Sequence, residues 1–251
     1  MNSALIIGSG FMGTSIALSI NHKKVSCVEE NLNYVSCLHE KGIYQKIFNS
    51  IDDVEGEFDL IVICLRQELV LNALLKISSQ FPDSTITDIS SSKKFLTNTD
   101  LPENFVSSHP ICGSHKVGPN NAVHNLISDK EVILIESTNL DCMRKLQTFW
   151  HSLGAKTSVM RIDEHDETYA YLSHFPHLFS FIYRQILDDK GINFNKYSGT
   201  SLKEILRLSD ANKDLWEEIF KDNKTNIDKV INDIKKYLPV SYTHLRAHET
   251  S

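Results

Sequence analysis

The feature that most constrains this chain is a glycine pattern close to its start. Gly8-Ser9-Gly10-Phe11-Met12-Gly13 follows directly on the apolar run Ala4-Leu5-Ile6-Ile7. It opens the stretch Phe11–Ile20, which reads as a helix with apolar positions on one side. A strand, a G-x-G-x-x-G turn and a helix in that order have a mechanical meaning. The first glycine allows the tight turn, the second lets backbone approach a pyrophosphate, and the third lets helix and strand pack closely. The helix N-terminus then offers free N–H groups and a partial positive charge to phosphate oxygens. A second expected strand, Val25–Val28, ends at Glu29, about 20 residues beyond Gly8, where dinucleotide-binding chains place a carboxylate. Such a group accepts the two ribose hydroxyls and repels a 2′-phosphate. No Arg lies in Cys27–Leu32, so the pattern favours NAD over NADP. Gly8, Gly10, Phe11, Met12, Gly13 and Glu29 are the expected cofactor-binding residues.

The pattern continues in the same style. Asn31–Lys41 reads as a helix, Leu60–Leu65 as the most apolar strand, and Leu69–Ser79 as a helix. Thr85–Ile89, Phe105–Ser108 and Val132–Ile135 read as strands, Leu140–Leu153 as a helix and Thr157–Met160 as a last strand. Strands alternating with helices predict a mainly parallel sheet covered on both faces. From Asp163 onward no strand is evident. Asp163–Asp189 is a long, mostly apolar helical segment, and Leu202–Leu208, Lys213–Phe220 and Ile227–Leu238 read as shorter helices. The expected fold class is therefore α/β: a Rossmann-type dinucleotide-binding domain over residues 1–160, then an all-helical domain over 161–238. With 251 residues, 41% hydrophobic and 23% charged, the chain has the composition of a folded protein and not of a disordered one. A net charge of −6 argues against a nucleic-acid partner. No apolar run approaches the ~18–20 residues that span a bilayer, and the start has no signal-peptide pattern. Five cysteines form no C-x-x-C pair, which fits a reduced, cytoplasmic setting.

The end of the chain has a different character. Val240–Thr250 reads VSYTHLRAHET, shows no clear period, and reverse-translates to a sequencing-library transposon-end adapter. Residues 239–251 are therefore expected to be a non-native tail, with the natural chain continuing past Leu238. Ile227, Val230, Ile231, Ile234 and Leu238 form an apolar stripe that needs a partner.

Three further stretches carry chemistry. Thr87-Asp88-Ile89-Ser90-Ser91-Ser92-Lys93 lies at a strand's C-terminal end, where open α/β sheets bind ligands. Its serines either cap the next helix or face a ligand. Ser108-His109-Pro110-Ile111-Cys112-Gly113-Ser114-His115-Lys116-Val117-Gly118-Pro119 leaves another strand end. His109, held extended before Pro110, is either a surface loop residue or a fixed catalytic imidazole. His165-Asp166 and Ser173-His174-Phe175-Pro176-His177 lie in the first helix of the second domain. Pro inside a helix costs about 3 kcal/mol and marks an intended kink. His174 and His177 are spaced to share a helix face, but no H-E-x-x-H and no Cys pair supports zinc, so no metal is expected.

Taken together, GSGFMG, TDISSSK, SHPICGSHKVGP and HDETYAYLSHFPH resemble the prephenate dehydrogenase family, which includes arogenate and cyclohexadienyl dehydrogenases. Arg207 and the segment Trp216–Asn223 fall where that family has its substrate arginine and W-x-x-I-F-x-x-N motif. The resemblance runs from residue 4 to about 238. It implies NAD-dependent oxidative decarboxylation of prephenate to 4-hydroxyphenylpyruvate in tyrosine biosynthesis. His109 would be the catalytic histidine and Ser91 its partner at the substrate hydroxyl. Arg207 would clamp a carboxylate, and Ser114, His177 and Trp216 would line the pocket. His165 and His174 would order the helix. It also implies a homodimer formed through the helical domain. The chain has His115 where the family often has Glu, which leaves prephenate and arogenate both open as substrates. Another NAD(P)-linked hydroxyacid dehydrogenase would normally carry a catalytic Lys on the interdomain helix, and Asp163–Asp189 has none. An inactive, truncated NAD-binding protein is the remaining alternative.

Overall fold

The apolar run before the glycine turn forms β1 (Ser3–Ile7), the middle strand of a five-stranded parallel sheet. The computed structural model describes residues 2–20, 24–112 and 116–247, with side chains through residue 238. The other strands of this sheet are β2 (Lys24–Val28), β3 (Ile47–Phe48), β4 (Leu60–Ile63) and β5 (Thr85–Asp88), in the order β3-β2-β1-β4-β5. Ile7 is level with Val28 and Ile63, and Ile63 with Asp88. The four strands therefore end along one edge, and Gly8, Glu29, Cys64 and Ile89 all leave from it. That edge is where sheets of this order bind nucleotides. β3 was not expected, because two residues leave no readable period.

Helices α1 (Phe11–Ser19), α2 (Leu32–Lys41) and α3 (Gln67–Gln80) connect these strands. Ala4, Ile6 and Val62 are buried in one core and Leu5, Ile7, Ile61 and Ile63 in the other. Burial on both faces is why β1 and β4 read as unbroken apolar runs. α1 departs from its expected one-sided pattern, with seven of its residues buried: Phe11, Gly13, Thr14, Ser15, Ile16, Ala17 and Ser19. The loop after residue 121 covers its outer side. Val123 N–H donates to Ser15 Oγ at 3.0 Å and Asn125 N–H to Ser19 Oγ at 3.1 Å.

A second sheet holds β6 (Ser108–Pro110), β7 (Glu131–Ile135) and β8 (Lys156–Met160), with α4 (Leu140–Ser152) between β7 and β8. β6 runs antiparallel to β7, and β8 parallel to it. The strand expected at Phe105–Ser108 is displaced. Phe105 makes only an isolated bridge to Ile86, and the ladder begins at Ser108. The segment crosses between sheets. Val106 N–H still donates to Ile86 O, whereas Ser107 O already accepts from Ile135 N–H on β7.

The chain divides into two units, Met1–Ile162 and Asp163–Ser251. The second contains α5 (Ile162–Tyr169, whose first residue belongs to the first unit), a π-helical turn (Ala170–His174), α6 (Phe175–Asp189) and α7 (Phe194–Tyr197). α8 (Thr200–Arg207), α9 (Lys213–Asp222) and α10 (Lys224–Ala247) complete it. Ala170, Ile227 and Val230 form its small core, with Phe175, Leu178, Phe220 and Ile231 against them. Three of the five stripe residues, Ile227, Val230 and Ile231, thus find their partners within the unit, whereas Ile234 and Leu238 are exposed. α10 does not stop at Leu238. It runs on to Ala247 through Pro239, whose missing N–H and ring weaken the helix at that point, and residues 239–247 contain no glycine to end it.

Candidate active site

The glycine turn has the geometry its spacing implies. Gly8 has φ +88°, and a Cβ there would lie 2.8 Å from the Cys64 carbonyl oxygen. A Cβ on Gly13 would lie 2.1 Å from the carbonyl oxygen of Gly8, so strand and helix touch backbone to backbone. Gly10 differs: a Cβ there would meet nothing within 4 Å. No protein atom requires its smallness, which suits a surface that a pyrophosphate approaches. Gly10 is also the N-cap of α1 and supplies no capping side chain. The first N–H groups of that helix, at Phe11, Met12 and Gly13, are left to a ligand. Glu29 is fixed beside them. Its Oε2 accepts from Ser9 N–H at 2.8 Å and its Oε1 from Asn31 N–H at 2.9 Å. Each oxygen keeps a second lone pair for a ribose hydroxyl. The residues present therefore fit a dinucleotide.

The second cluster is built on Asp88, the last residue of β5, which is fully buried. Its Oδ2 accepts from Ser90 N–H at 2.9 Å and from Lys93 Nζ at 3.1 Å, and its Oδ1 accepts from the Ser107 hydroxyl. Lys93, also fully buried, donates to the Ser108 carbonyl at 2.8 Å. Ser91 is half-buried in the loop that Asp88 pins. The serines cap no helix. The short turn that follows, Lys94–Leu96, has Lys93 at its N-cap and no side-chain cap, and Ser92 Oγ donates to Gln67 Oε1 instead. His109 is not the loop residue that its neighbours suggest. It lies inside β6, opposite Ile133, and is 9% exposed. Ser114 and His115 lie outside the described residues.

Lys93 and Asp88 belong to the same TDISSSK stretch, whose local pattern assigns them no task. A lysine is almost never fully buried unless paired, and only the five-residue spacing to Asp88 hinted at the pair. The buried Cys27, Cys112 and Cys142 are not nucleophiles. Burial pushes the Cys27 thiol up to about 12 and those of Cys112 and Cys142 to about 11, so none is a thiolate at neutral pH.

In the helical unit, three expected pocket residues come together. The His177 ring stacks on Trp216 with centroids 3.6 Å apart and planes at 16°. His177 Nδ1 donates to the Ser173 carbonyl at 2.9 Å, leaving Nε2 as an acceptor when the ring is neutral. Burial holds its pKa below the usual histidine value, the Ser173 carbonyl opposes that, and the charge of Arg207 lowers it further. Arg207 ends α8 and is exposed. The last turn of α8 is anchored from α6, where Ser180 Oγ donates to Ile205 O at 2.7 Å and Arg184 Nη2 to Leu206 O at 3.1 Å. His165 and His174 are fully buried. His165 Nδ1 pairs with Asp166 Oδ1 at 2.8 Å, and His174 Nδ1 accepts from Asn223 Nδ2 at 2.9 Å. Among the described residues no group of three or more His, Cys, Asp or Glu could hold a metal ion. Among them, too, no helix is long and apolar enough to cross a membrane.

A sheet in the order β3-β2-β1-β4-β5, a glycine turn open at its second glycine, and a helical unit carrying a His–Trp–Arg cluster define a nucleotide-dependent oxidoreductase of the two-domain dehydrogenase kind. More narrowly, the chain belongs to the prephenate dehydrogenase family. Residues 15–159 match that family's nucleotide-binding domain and residues 161–249 its dimerization domain. The chain is 26% identical over 254 residues to the prephenate dehydrogenase of Lactococcus lactis subsp. cremoris, covering 95% of this chain and 70% of that one. It is 25% identical over 259 residues to the cyclohexadienyl dehydrogenase of Zymomonas mobilis subsp. mobilis, covering 92% and 85%. Among solved structures, prephenate dehydrogenase from A. aeolicus in complex with hydroxyphenyl propionate and NAD+ superposes with a TM-score of 0.91 at 27% identity, covering 100% of this chain and 93% of that one. Synechocystis arogenate dehydrogenase shares the fold, with a TM-score of 0.81 at 19% identity over 99% of this chain and 93% of that one.

Proposed function

We propose that this chain is an NAD-dependent prephenate dehydrogenase that forms 4-hydroxyphenylpyruvate in tyrosine biosynthesis. The observation that carries this reading is the buried Lys93, which pairs with Asp88 and grips the carbonyl of Ser108, next to His109. The loop carrying Ser91 and the strand carrying His109 are thereby held as one piece. The solved relative that holds NAD+ and hydroxyphenyl propionate supports both the cofactor and an aromatic, carboxylate-bearing ligand. Bound NAD supplies the hydride acceptor. His109 accepts the proton of the ring hydroxyl as that carbon becomes a carbonyl. The ring carboxylate leaves as CO2; its bonding pair completes the aromatic ring and moves the carbonyl pair onto the oxygen, which takes the proton back from His109 as the phenol hydroxyl. Ser91 hydrogen-bonds the same oxygen and orients it. Arg207 binds a substrate carboxylate, for which a forked guanidinium is better suited than an ammonium. His177 and Trp216 form an aromatic wall beside Arg207, and Ser114 adds a polar contact. Glu29 and the turn Gly8–Gly13 hold the cofactor.

In this reading the enzyme works in the cytoplasm, where its five free cysteines stay reduced, and forms a homodimer through the helical unit. The test is NADH formation from prephenate by the purified chain and by His109→Asn. The variant should bind NAD normally and lose turnover by about 10²–10⁴-fold, the usual effect of removing a positioned base. Near-normal kcat in His109→Asn would overturn the assignment. Higher kcat/KM with arogenate, which has an amine where prephenate has a ketone, would move the substrate and leave the mechanism standing.

A further inference from the structure

β6 is a poor strand on which to mount a catalytic group. It is three residues long, ends its sheet, and includes Pro110, which has no N–H to give to the ladder. Backbone pairing alone fixes it weakly, yet His109 sits at its centre. Side chains alternate across a strand, so Ser108 points to the face opposite His109. There the Ser108 hydroxyl meets two fully buried partners. Trp150 Nε1 on α4 donates to Ser108 Oγ at 3.1 Å, and Thr87 Oγ1 on β5 lies 2.6 Å from it. Thr87 Oγ1 in turn donates to the Asp88 carbonyl at 3.2 Å. The indole N–H can only donate, so Ser108 Oγ accepts from Trp150, and with the Thr87 proton given to the Asp88 carbonyl, Ser108 is the donor to Thr87. Every proton in that line is used.

We propose that Trp150 and Thr87 are positioning residues that fix the His109 imidazole by locking the Ser108 hydroxyl behind it. The lock ties three elements, α4, β5 and β6, at the residue next to the proton acceptor. It is separate from the grip of Lys93, which takes the Ser108 carbonyl. The proposal rests on the reading of His109 as the proton acceptor.

Three variants test it. Trp150→Phe keeps a large aromatic ring and removes the N–H, Thr87→Val keeps the shape and removes the hydroxyl, and Thr87→Ser keeps the hydroxyl. Steady-state kinetics with prephenate and NAD, NAD titration and thermal melts are run on each. Trp150→Phe and Thr87→Val should each lower kcat by about 10- to 100-fold, the range expected when a reacting group is misplaced by about 1 Å. NAD affinity should be unchanged, and the pH at which kcat rises should move because the imidazole environment changes. Thr87→Ser should restore kcat. In a His109→Asn background neither substitution should lower the residual rate further, because the group they position is gone. The proposal is overturned if Thr87→Val and Trp150→Phe keep parental kcat, or if Thr87→Ser is as slow as Thr87→Val. It is equally overturned if the losses multiply with His109→Asn. Should Trp150→Phe fail to fold, the Thr87 pair decides alone. Near-normal kcat in His109→Asn itself would instead remove the mechanistic reading, a different result from any of these.

Discussion

Glu29 shows how one side chain sets cofactor choice. Its two oxygens are already held by the N–H groups of Ser9 and Asn31, so the carboxylate does not have to be ordered when a ribose arrives. The chain should therefore use NAD with a much higher kcat/KM than NADP. Glu29→Ser should weaken NAD binding by about 10- to 100-fold, from about 1.5–3 kcal/mol for a hydrogen bond to a charged group. Equal use of the two cofactors by the parental chain would contradict this. His177 makes a pH prediction of definite sign. Its folded pKa lies below the usual histidine value of 6.5, through burial and the charge of Arg207. The unfolded chain therefore takes up this proton first as the pH falls. Stability contributed at His177 is complete above 6.5 and declines below it, towards the folded pKa. Melting temperatures recorded between pH 7.5 and 5.5 should fall less steeply for His177→Asn than for the parent. An identical slope would show that this ring does not titrate differently on folding. Residues of this kind were legible because their chemistry sits in short motifs. Asp88 and Lys93 were not, since pairing inside a core depends on where β5 and β6 meet and leaves no local pattern.

At the level of elements, the segment from Ile162 to Asp189 carries the clearest lesson. It reads as one long helix interrupted by Pro176, and the interruption takes the form of a π-helical turn over Ala170–His174, just before that proline. A widened turn changes which backbone carbonyls find helical partners. Asn223, which follows α9 and is 1% exposed, answers this. Its Nδ2 donates to the Asp166 carbonyl at 2.6 Å and to His174 Nδ1 at 2.9 Å, and its Oδ1 accepts from Asn226 at 2.8 Å. One amide thus ties α5, the π turn and the start of α10 together. Removing it deletes three hydrogen bonds, each worth about 0.5–1.5 kcal/mol. Asn223→Ala should lower the unfolding midpoint of the helical unit clearly in urea, while a surface control such as Lys203→Ala should not. An unchanged midpoint would show that water replaces the amide. Element types were readable from apolar period and punctuation, and most ends fell within a few residues. The misreadings have physical causes. β3 is too short for a period, the strand near Phe105 is moved by a crossover between two sheets, and α1 is buried on nearly all sides by a distant loop.

For the molecule as a whole, the sequence divides its work by composition. The first unit buries near-continuous apolar strands in two cores, Leu5 and Ile7 in one and Ala4 and Ile6 in the other. The helical unit buries far less, with a core centred on Ala170, Ile227 and Val230. It leaves large apolar side chains in the open: Phe179, Ile182 and Ile186 on α6 are 44%, 51% and 47% exposed. These three recur at i, i+3 and i+7, so they share one helix face. Their neighbours Ser180 and Leu187 are buried, so the unit uses the other side of α6 for itself. A face of that kind on a unit that matches a dimerization domain is the surface through which the proposed homodimer would form. Fully burying each such side chain is worth about 1.5–3 kcal/mol, and a charge placed among them is strongly unfavourable. Ile182→Glu combined with Ile186→Glu should therefore convert dimer to monomer at micromolar concentration. The parental urea midpoint of the helical unit should be retained as proof that this unit still folds. Sedimentation velocity across a concentration series reads the outcome. A parental chain that is monomeric throughout would refute the homodimer, and a double variant that stays dimeric would show that two chains meet through another surface.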